Sequence, residues 1–409
     1  MKRRPTQAVV LAGGRGTRLR PLTDTRPKPM VEFHGKPFLA YIVEMLREQG
    51  FERVLMLLGY LPEVIIDHFG DGSEFGIAIE YDVTGADDLT AFRVDHARDR
   101  LDERFLLLYC DNYWPMRMDA MWEAYVDSGA AGQITVYSNV DGYTRDSVIV
   151  GGDGFVEVFD RARTTPGLSG VEISYAILER DAVLPLVADR DLLFEEAVYP
   201  ALSARRQLGA FVSDHRYYSV GGHDRLAETS AFFARNPAII LDRDGVLNER
   251  PPRAQYVRRP EEFVWLDGSL EALRLFAASG WRVLVVSNQA GIGRGVMSAR
   301  DLEAVHARMR ADAEADGGRI DAIYHCPHDW EAGCDCRKPR PGMLFQAQRE
   351  HRLDLTRTWF VGDDDRDRMA ADAAGCRFTF VTPELSLLDV AREILSQSPA
   401  HASPADVAG

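Results

Sequence analysis

Short runs of aliphatic and β-branched residues alternate along the chain with longer stretches in which apolar positions recur every three or four residues. In the first half, the runs predict buried strands at 7–12, 53–58, 105–109 and 133–137, with helices at 38–48 and 118–127. In the second half, they predict strands at 238–241, 282–287 and 358–361, with helices at 269–278 and 298–315. This alternation predicts an α/β fold with two mostly parallel sheets flanked by helices.

The length of 409 residues exceeds one ordinary hydrophobic core and predicts two domains. A helical pattern at 226–233 ends before Pro237, and proline disfavours helix in the residue that precedes it. We therefore expect one domain at 1–235 and another at 237–395. Residues 396–409 are rich in Ser, Ala and Pro without periodicity, so a flexible tail is expected there.

The charge of the chain limits its partners. A formal net charge of -15 argues against generic binding to nucleic acid or to an anionic membrane. No apolar run is long enough for a signal peptide or a membrane span, so a cytoplasmic protein is expected. Lysine is rare, because only Lys2, Lys28, Lys36 and Lys338 stand among the 48 basic residues, and its positions are therefore informative.

Four soft metal ligands lie within eleven residues: Cys326, His328, Cys334 and Cys336. Three thiolates and one imidazole fill a tetrahedral Zn²⁺ site and leave no position for a catalytic water, so a structural zinc is expected. A disulfide framework is the competing interpretation, but five cysteines in 409 residues do not suit one. The spacing matches no common zinc finger, which argues against nucleic-acid binding.

Polar residues with phosphoryl-transfer chemistry follow three predicted strands of the second half. Asp242 and Asp244 stand at alternate positions after the first strand, where one carboxylate can attack phosphorus while the other moves protons. Asp-x-Asp is common in ordinary turns, but here Ser287 ends the second strand, Lys338 follows, and Asp363 and Asp364 end the third. With Mg²⁺, this order suits phosphoryl transfer and resembles the haloacid dehalogenase superfamily of phosphatases.

Within that superfamily, residues 238–390 resemble the D-glycero-D-manno-heptose 1,7-bisphosphate phosphatases. The resemblance rests on the cysteine-rich loop joined to Cys336-Arg337-Lys338-Pro339 and on the segment SNQAGIGRG at 287–295. The histidinol-phosphate phosphatases share much of the pattern, including the zinc loop, and are the alternative. The segment at 291–295 lacks the G-x-G-x-x-G spacing of a dinucleotide site.

The resemblance implies roles for these residues. Asp242 would form an aspartyl-phosphate, and Asp244 would protonate the leaving oxygen and later activate water. Two further residues would hold phosphoryl oxygens, namely Ser287 and Lys338. The Mg²⁺ ligands would be Asp242, the main-chain carbonyl of Asp244 and Asp363, with Asp364 as a further ligand or a supporting residue. The candidates for substrate contact are Asn288 and Arg337.

A glycine-rich turn follows the first predicted strand. Gly13, Gly14 and Gly16 would let backbone N–H groups approach phosphates, although the turn is not a Walker A loop. Together with RPLT at 20–23 and PKPM at 27–30, it resembles the Rossmann-like nucleotidyltransferases that join a sugar 1-phosphate to an NTP. The resemblance implies that Arg15 assists the pyrophosphate leaving group, that Lys28 contacts phosphate and that Asp111 binds Mg²⁺.

Three positions depart from that family. Ser219 stands in place of the second metal-binding aspartate, for which Asp214 or Asp224 could substitute; Cys110 replaces a glycine; and Asp160-Arg161 replaces a Glu-Lys pair. The first domain is therefore expected to be either a transferase or an inactive module that binds a nucleotide or sugar phosphate. In the first case, the fusion would perform two steps in making a nucleotide-activated heptose for a surface polysaccharide.

Overall fold

The structure is a computed structural model that describes residues 3–397. The chain divides into two compact units, residues 1–234 and residues 235–409. Of the predicted tail, Ser396 and Gln397 end the last helix, and residues 398–409 lie outside the described residues. Each helix of the described residues is too short or too polar to cross a membrane.

The first unit is built on a seven-stranded sheet. The strands of this unit are β1 (Gln7–Ala12), β2 (Glu32–Phe33), β3 (Lys36–Pro37), β4 (Arg53–Leu58), β5 (Ala78–Val83), β6 (Arg104–Tyr109), β7 (Asn112–Tyr113), β8 (Gly132–Tyr137), β9 (Val148–Val150), β10 (Val156–Phe159), β11 (Val171–Glu179), β12 (Leu208–Ser213) and β13 (Tyr218–Ser219). The helices are α1 (Phe38–Glu48), α2 (Pro62–Phe69), α3 (Thr90–His96), α4 (Met118–Ser128), α5 (Arg180–Val187), α6 (Phe194–Ala204) and α7 (His223–Phe233). The large sheet has the order β12-β8-β11-β6-β1-β4-β5, and β11 alone runs antiparallel to its neighbours.

Strand β1 occupies the interior of this sheet and is buried on both faces. Ala8 and Val10 pack into one hydrophobic cluster, whereas Val9 and Leu11 pack into a second cluster on the opposite face. A strand covered on both faces is a continuous apolar run, which explains why the sequence predicts it so clearly. Because β1 and β6 are parallel neighbours, the glycine turn and Asp111 follow strands that end at one edge of the sheet.

The second unit contains a five-stranded parallel sheet of order β16-β15-β14-β17-β18. Its strands are β14 (Ala238–Leu241), β15 (Arg282–Asn288), β16 (Ala322–Cys326), β17 (Trp359–Gly362) and β18 (Arg377–Phe380). Its helices are α8 (Ser269–Ala278), α9 (Ala299–Ala315), α10 (Gly342–His351), α11 (Asp365–Ala374) and α12 (Leu387–Gln397). The mostly parallel α/β architecture predicted for both halves is confirmed.

Some element boundaries differ from the prediction for local reasons. Helix α9 begins at Ala299 because Ser298 is its N-cap, with reciprocal hydrogen bonds to Asp301. Helix α7 begins at His223. Its first turn is polar, so the apolar pattern in the sequence indicated a start three residues later. Strand β17 extends to Gly362, so Asp363 directly follows its carboxyl end.

Candidate active sites

A cavity of about 920 Å³ opens at the carboxyl edge of the five-stranded sheet. The predicted phosphatase residues that line it are Asp242, Asp244, Ser287, Asn288, Arg337, Lys338, Asp363 and Asp364. They come from the loops after β14 and β17, from the last two positions of β15 and from the segment before α10. The structure therefore brings together every residue that the sequence assigned to phosphoryl transfer.

Lys338 lies at the floor of this cavity between two carboxylates. Its Nζ lies 2.8 Å from Asp242 Oδ1 and 2.7 Å from Asp367 Oδ1, and the residue is 3% exposed. Burial alone would lower the pKa of Lys338, but the charges of Asp242 and Asp367 raise it above its ordinary value. The lysine is therefore a fixed cation at the position where phosphoryl oxygens are expected.

Three carboxylates cluster beside Lys338. Oxygens of Asp242, Asp363 and Asp367 all lie within 4.8 Å of one another. Burial raises the pKa of Asp242 to about 8, opposed by Lys338. Arg250 Nη1 also lies 3.0 Å from Asp363 Oδ2, so the three acids face Lys338 and one arginine. Clustered carboxylate oxygens are the ligands that Mg²⁺ prefers, so these residues fit the predicted ion.

Asp364 lies outside the carboxylate cluster, in a position that suits the second of its two expected roles, that of a supporting residue. Its carboxylate caps α11 through the Arg366 N–H at 2.9 Å and accepts from Arg250 Nη2 at 2.7 Å. Asp367 instead joins the cluster, and its Oδ2 also accepts the N–H groups of Asp363 and Asp364. The sequence reasoning missed Asp367, although its place three residues after the N-cap is the signal of a capping box.

Asp244 is held by side chains that the sequence reasoning also missed. Arg243 Nη2 donates to both of its oxygens at 2.9 Å, and Asn248 and Gln289 each donate at 3.0 Å. Burial alone would raise the pKa of Asp244, but Arg243 and these hydrogen bonds lower it. The fully buried Arg243 therefore fixes the orientation of the proposed proton carrier.

Two other predicted residues flank Lys338. Asn288 Nδ2 donates to the Lys338 carbonyl at 3.0 Å, and its Oδ1 accepts the Lys338 N–H at 3.1 Å, so Asn288 positions the lysine backbone. Arg337 lines the cavity, and its buried Nη1 has no hydrogen-bond partner among the described residues. A buried donor of this kind is suited to an anionic ligand.

The cysteine-rich loop beside the cavity brings its four predicted ligands together. Cys334 Sγ lies 3.5 Å from the sulfurs of Cys326 and Cys336, and His328 Nδ1 lies 3.6 Å from Cys326 Sγ and 3.2 Å from Cys336 Sγ. A tetrahedral zinc site with Zn–S bonds of about 2.3 Å has S–S edges of about 3.8 Å. The arrangement therefore fits a closed tetrahedral ion.

The first unit has its own cavity of about 810 Å³ beside the glycine turn. Gly13, Gly14 and Gly16 line it, together with Lys28 and Asp111. Lys28 Nζ lies 2.6 Å from Asp111 Oδ2. Burial alone would raise the pKa of Asp111, but Lys28 lowers it, so the acid is held ionised.

A buried arginine supports the glycine turn. Arg93 Nη2 donates to the carbonyls of Gly85 at 2.8 Å and Asp88 at 3.0 Å, and Nη1 donates to Leu58 at 2.6 Å. A Cβ at Gly13 would lie 2.3 Å from the Arg93 guanidinium carbon, so only glycine fits there. This support cannot be predicted from the sequence, because Arg93 and the glycine turn are distant along the chain and are brought together only by the fold.

Arg15 and Arg18, which lie near each other in the sequence, occupy different positions relative to this cavity. Arg15 lies on the surface and pairs with Asp87 at 2.8 and 2.9 Å, although Asp87 itself lines the cavity. Arg18, which the sequence reasoning did not single out, lines the cavity and helps to lower the pKa of Asp111. Arg18 is therefore better placed than Arg15 to meet a phosphate.

Two of the three departures from the nucleotidyltransferase pattern, those at Ser219 and Asp160, have clear structural consequences. Ser219 Oγ donates to the Asp111 carbonyl at 3.1 Å, which places this position beside the first metal acid. Of the possible substitutes, Asp224 lines the cavity, whereas Asp214 follows β12. Asp160 accepts the N–H groups of residues 163–165 and so orders its own loop.

Comparisons with known proteins agree with the division of the chain into two units. Residues 7–144 match the family model described as nucleotidyl transferase, and residues 335–404 match the one described as HAD-hydrolase-like. A putative glucose-1-phosphate thymidylyltransferase from Bacillus anthracis is 18% identical, with a TM-score of 0.50, and the match covers 55% of this chain and 94% of that chain. This likeness concerns the fold alone.

Sequence relatives match the second unit. A D-glycero-β-D-manno-heptose-1,7-bisphosphate 7-phosphatase from Pseudomonas putida is 44% identical over 139 residues, which are 34% of this chain and 78% of the relative. The enzyme of that name from Neisseria meningitidis is 38% identical over 159 residues, covering 39% of this chain and 81% of the relative.

The chain is thus a phosphatase of the HAD class joined to a nucleotidyl transferase domain. Through its second unit, it belongs to the D-glycero-β-D-manno-heptose-1,7-bisphosphate 7-phosphatase family.

Proposed function

We propose that the second unit removes the 7-phosphate of D-glycero-β-D-manno-heptose 1,7-bisphosphate. The observation that carries the proposal is the position of Asp242. It is buried beside Lys338, in a cavity bordered by the cysteine-rich loop that holds the four candidate zinc ligands. The names of the relatives supply the sugar and the phosphate position.

The reaction follows from the positions of the side chains. Lys338 and a bound Mg²⁺ would favour the carboxylate form of Asp242, and the negative charge of a bound phosphate would raise the pKa of Asp244 so that it carries a proton. A carboxylate oxygen of Asp242 forms a bond to phosphorus as the bond from phosphorus to the sugar oxygen breaks, and Asp244 gives that oxygen its proton. Asp244 then takes a proton from water, whose oxygen attacks the phosphorus of the aspartyl-phosphate and releases Asp242 and phosphate. Lys338 and Ser287 hold the phosphoryl oxygens throughout.

The proposed cofactors have separate tasks. Asp242, Asp363 and Asp367, with the Asp244 carbonyl, would hold Mg²⁺, which offsets the repulsion between carboxylate and phosphate. Cys326, His328, Cys334 and Cys336 would hold Zn²⁺ as a structural ion. The zinc loop would thereby shape the cavity without taking part in phosphoryl transfer.

A substrate comparison tests this assignment. Phosphate release is measured from heptose 1,7-bisphosphate and from histidinol phosphate, with wild-type protein and with Asp242→Asn. We expect a higher kcat/KM for the heptose bisphosphate and no turnover by the variant. A preference for histidinol phosphate would support the alternative substrate, and unchanged turnover by Asp242→Asn would remove the nucleophile.

For the first unit, we propose nucleotidyl transfer to a sugar 1-phosphate. The supporting observation is the Lys28–Asp111 pair beside the glycine turn, with Asp224 lining the same cavity as a second acid. Pyrophosphate release is measured with a panel of NTPs and sugar 1-phosphates, and Asp111→Asn should abolish it. Nucleotide binding without pyrophosphate release would instead indicate a binding module.

Both proposals together make the chain a bifunctional enzyme of nucleotide-activated heptose synthesis for surface polysaccharide. The phosphatase would leave a heptose 1-phosphate, and the transferase would join such a phosphate to a nucleotide. The expected partners are therefore a sugar phosphate and an NTP.

A further inference from the structure

The glycine-rich segment 289–295, between β15 and α9, is bound to the zinc loop along its length. The Gln289 N–H donates to the Cys326 carbonyl at 2.8 Å, and the Gly293 N–H donates to the Pro327 carbonyl at 2.8 Å. A Cβ at Gly293 would lie 2.6 Å from the Asp329 backbone nitrogen. The segment that follows the catalytic serine therefore sets the position of the zinc loop.

Arg294, in the same segment, connects two walls of the phosphatase cavity. Its guanidinium carbon lies 4.3 Å from the ring centroid of Trp330 in the zinc loop, and its Nη1 lies 3.3 Å from the hydroxyl of Tyr256. Both aromatic residues line the cavity. A cation placed over the indole ring holds that ring in one orientation.

Trp330 is unusual among the residues that line this cavity, because it is a large apolar side chain that remains 45% exposed. Half of the other residues that line the cavity are charged, and six of these are arginine or lysine, which suit phosphates. An exposed indole beside these cations is suited to a ligand that carries a carbon skeleton as well as phosphates. The C–H face of a sugar has that chemistry.

We propose that Trp330 is a specificity-determining residue that packs against the carbon skeleton of the sugar phosphate, with Arg294 as its positioning residue. This inference rests on the proposed phosphatase function. The reacting phosphate binds at Asp242 and Lys338, whereas Trp330 binds the part of the substrate that does not react. Its contribution is therefore to binding and not to the chemical step.

The experiment compares Trp330→Ala with wild-type protein on two substrates. For heptose 1,7-bisphosphate, we expect KM to rise on the order of tenfold, with kcat unchanged within about twofold. Acetyl phosphate has no sugar, so its KM and the inhibition constant of inorganic phosphate should stay unchanged. Trp330→Phe keeps an aromatic face and should restore most of the affinity.

The controls separate recognition from a structural role. Met369→Ala removes another exposed apolar side chain, on α11, and should leave both KM values unchanged. The zinc content and thermal midpoint of Trp330→Ala should match those of wild type. Loss of zinc, an equal rise of KM for both substrates, or no rise at all would overturn the inference.

The two proposals fail in different ways. If wild-type protein hydrolyses heptose bisphosphate but Trp330→Ala does so with unchanged KM, the inference fails and the phosphatase assignment stands. If wild-type protein hydrolyses acetyl phosphate but not heptose bisphosphate, the assigned substrate fails, and the inference fails with it.

Discussion

At the scale of single residues, neighbouring acids have different tasks that the sequence could only partly separate. Asp242 and Asp363 could be assigned because each directly follows a buried strand, and the ends of parallel strands meet at one edge. The choice between Asp364 and Asp367 could not be made in this way. Helix capping decides it, because Asp364 faces Arg250 and Arg366 while Asp367 turns back towards Lys338.

Paired substitutions test this distinction. We expect Asp367→Asn to lower kcat by about 10- to 100-fold and to raise the Mg²⁺ concentration needed for half-maximal rate, because it removes a partner of Lys338 and a candidate ligand. Asp364→Asn is the matched control. Asparagine also caps helices, so this change should lower kcat less than Asp367→Asn does. A larger loss in Asp364→Asn than in Asp367→Asn would contradict the assignment.

The first unit allows a test of pH dependence at Glu172, which lines its cavity. Burial raises the pKa of Glu172 from 4.5 to about 8. The folded state therefore binds a proton on Glu172 more tightly than the unfolded chain does. The contribution of this protonation to the free energy of unfolding is present at low pH and is lost as the pH rises towards 8. We expect Glu172→Gln to raise the thermal midpoint by about 2–4 °C at pH 8.5 and to change little at pH 5. Equal shifts at both pH values would contradict this explanation.

At the scale of elements, the zinc loop and the segment 289–295 act as one structural unit. The four candidate zinc ligands, Cys326, His328, Cys334 and Cys336, could be predicted from spacing and ligand chemistry alone. Their backbone contacts with Gln289 and Gly293 could not, because these contacts join segments that are distant in sequence and depend on the pairing of β15 with β16. The spacing of the glycines at 291–295 does not suit a dinucleotide site. Their lack of a side chain instead allows the backbone of this segment to approach that of the cysteine-rich loop closely.

Removal of zinc tests the role of this unit. A structural zinc contributes on the order of 10 kcal/mol to ordering its ligands, so its loss should disorder the loop. We expect chelation, or Cys334→Ser, to raise KM for heptose bisphosphate at temperatures well below global unfolding. The measurements are KM, zinc content and the thermal unfolding profile. A zinc-free protein with full activity would contradict the proposed role.

At the scale of the whole molecule, each unit builds its own cavity at the carboxyl edge of its own sheet. The alternation of apolar runs and helical patterns predicted both sheets, because buried parallel strands are continuously apolar. The antiparallel β11 was not predictable, since strand direction depends on connections and not on local pattern. Because the two proposed activities are assigned to different units, each is expected to survive loss of the other.

The most direct test of the account is phosphate release from D-glycero-β-D-manno-heptose 1,7-bisphosphate by three forms of the full chain. We predict one equivalent of phosphate per sugar, taken from position 7, with wild-type protein and with Asp111→Asn, and none with Asp242→Asn. Release that persists in Asp242→Asn, or that is lost in Asp111→Asn, would contradict the account.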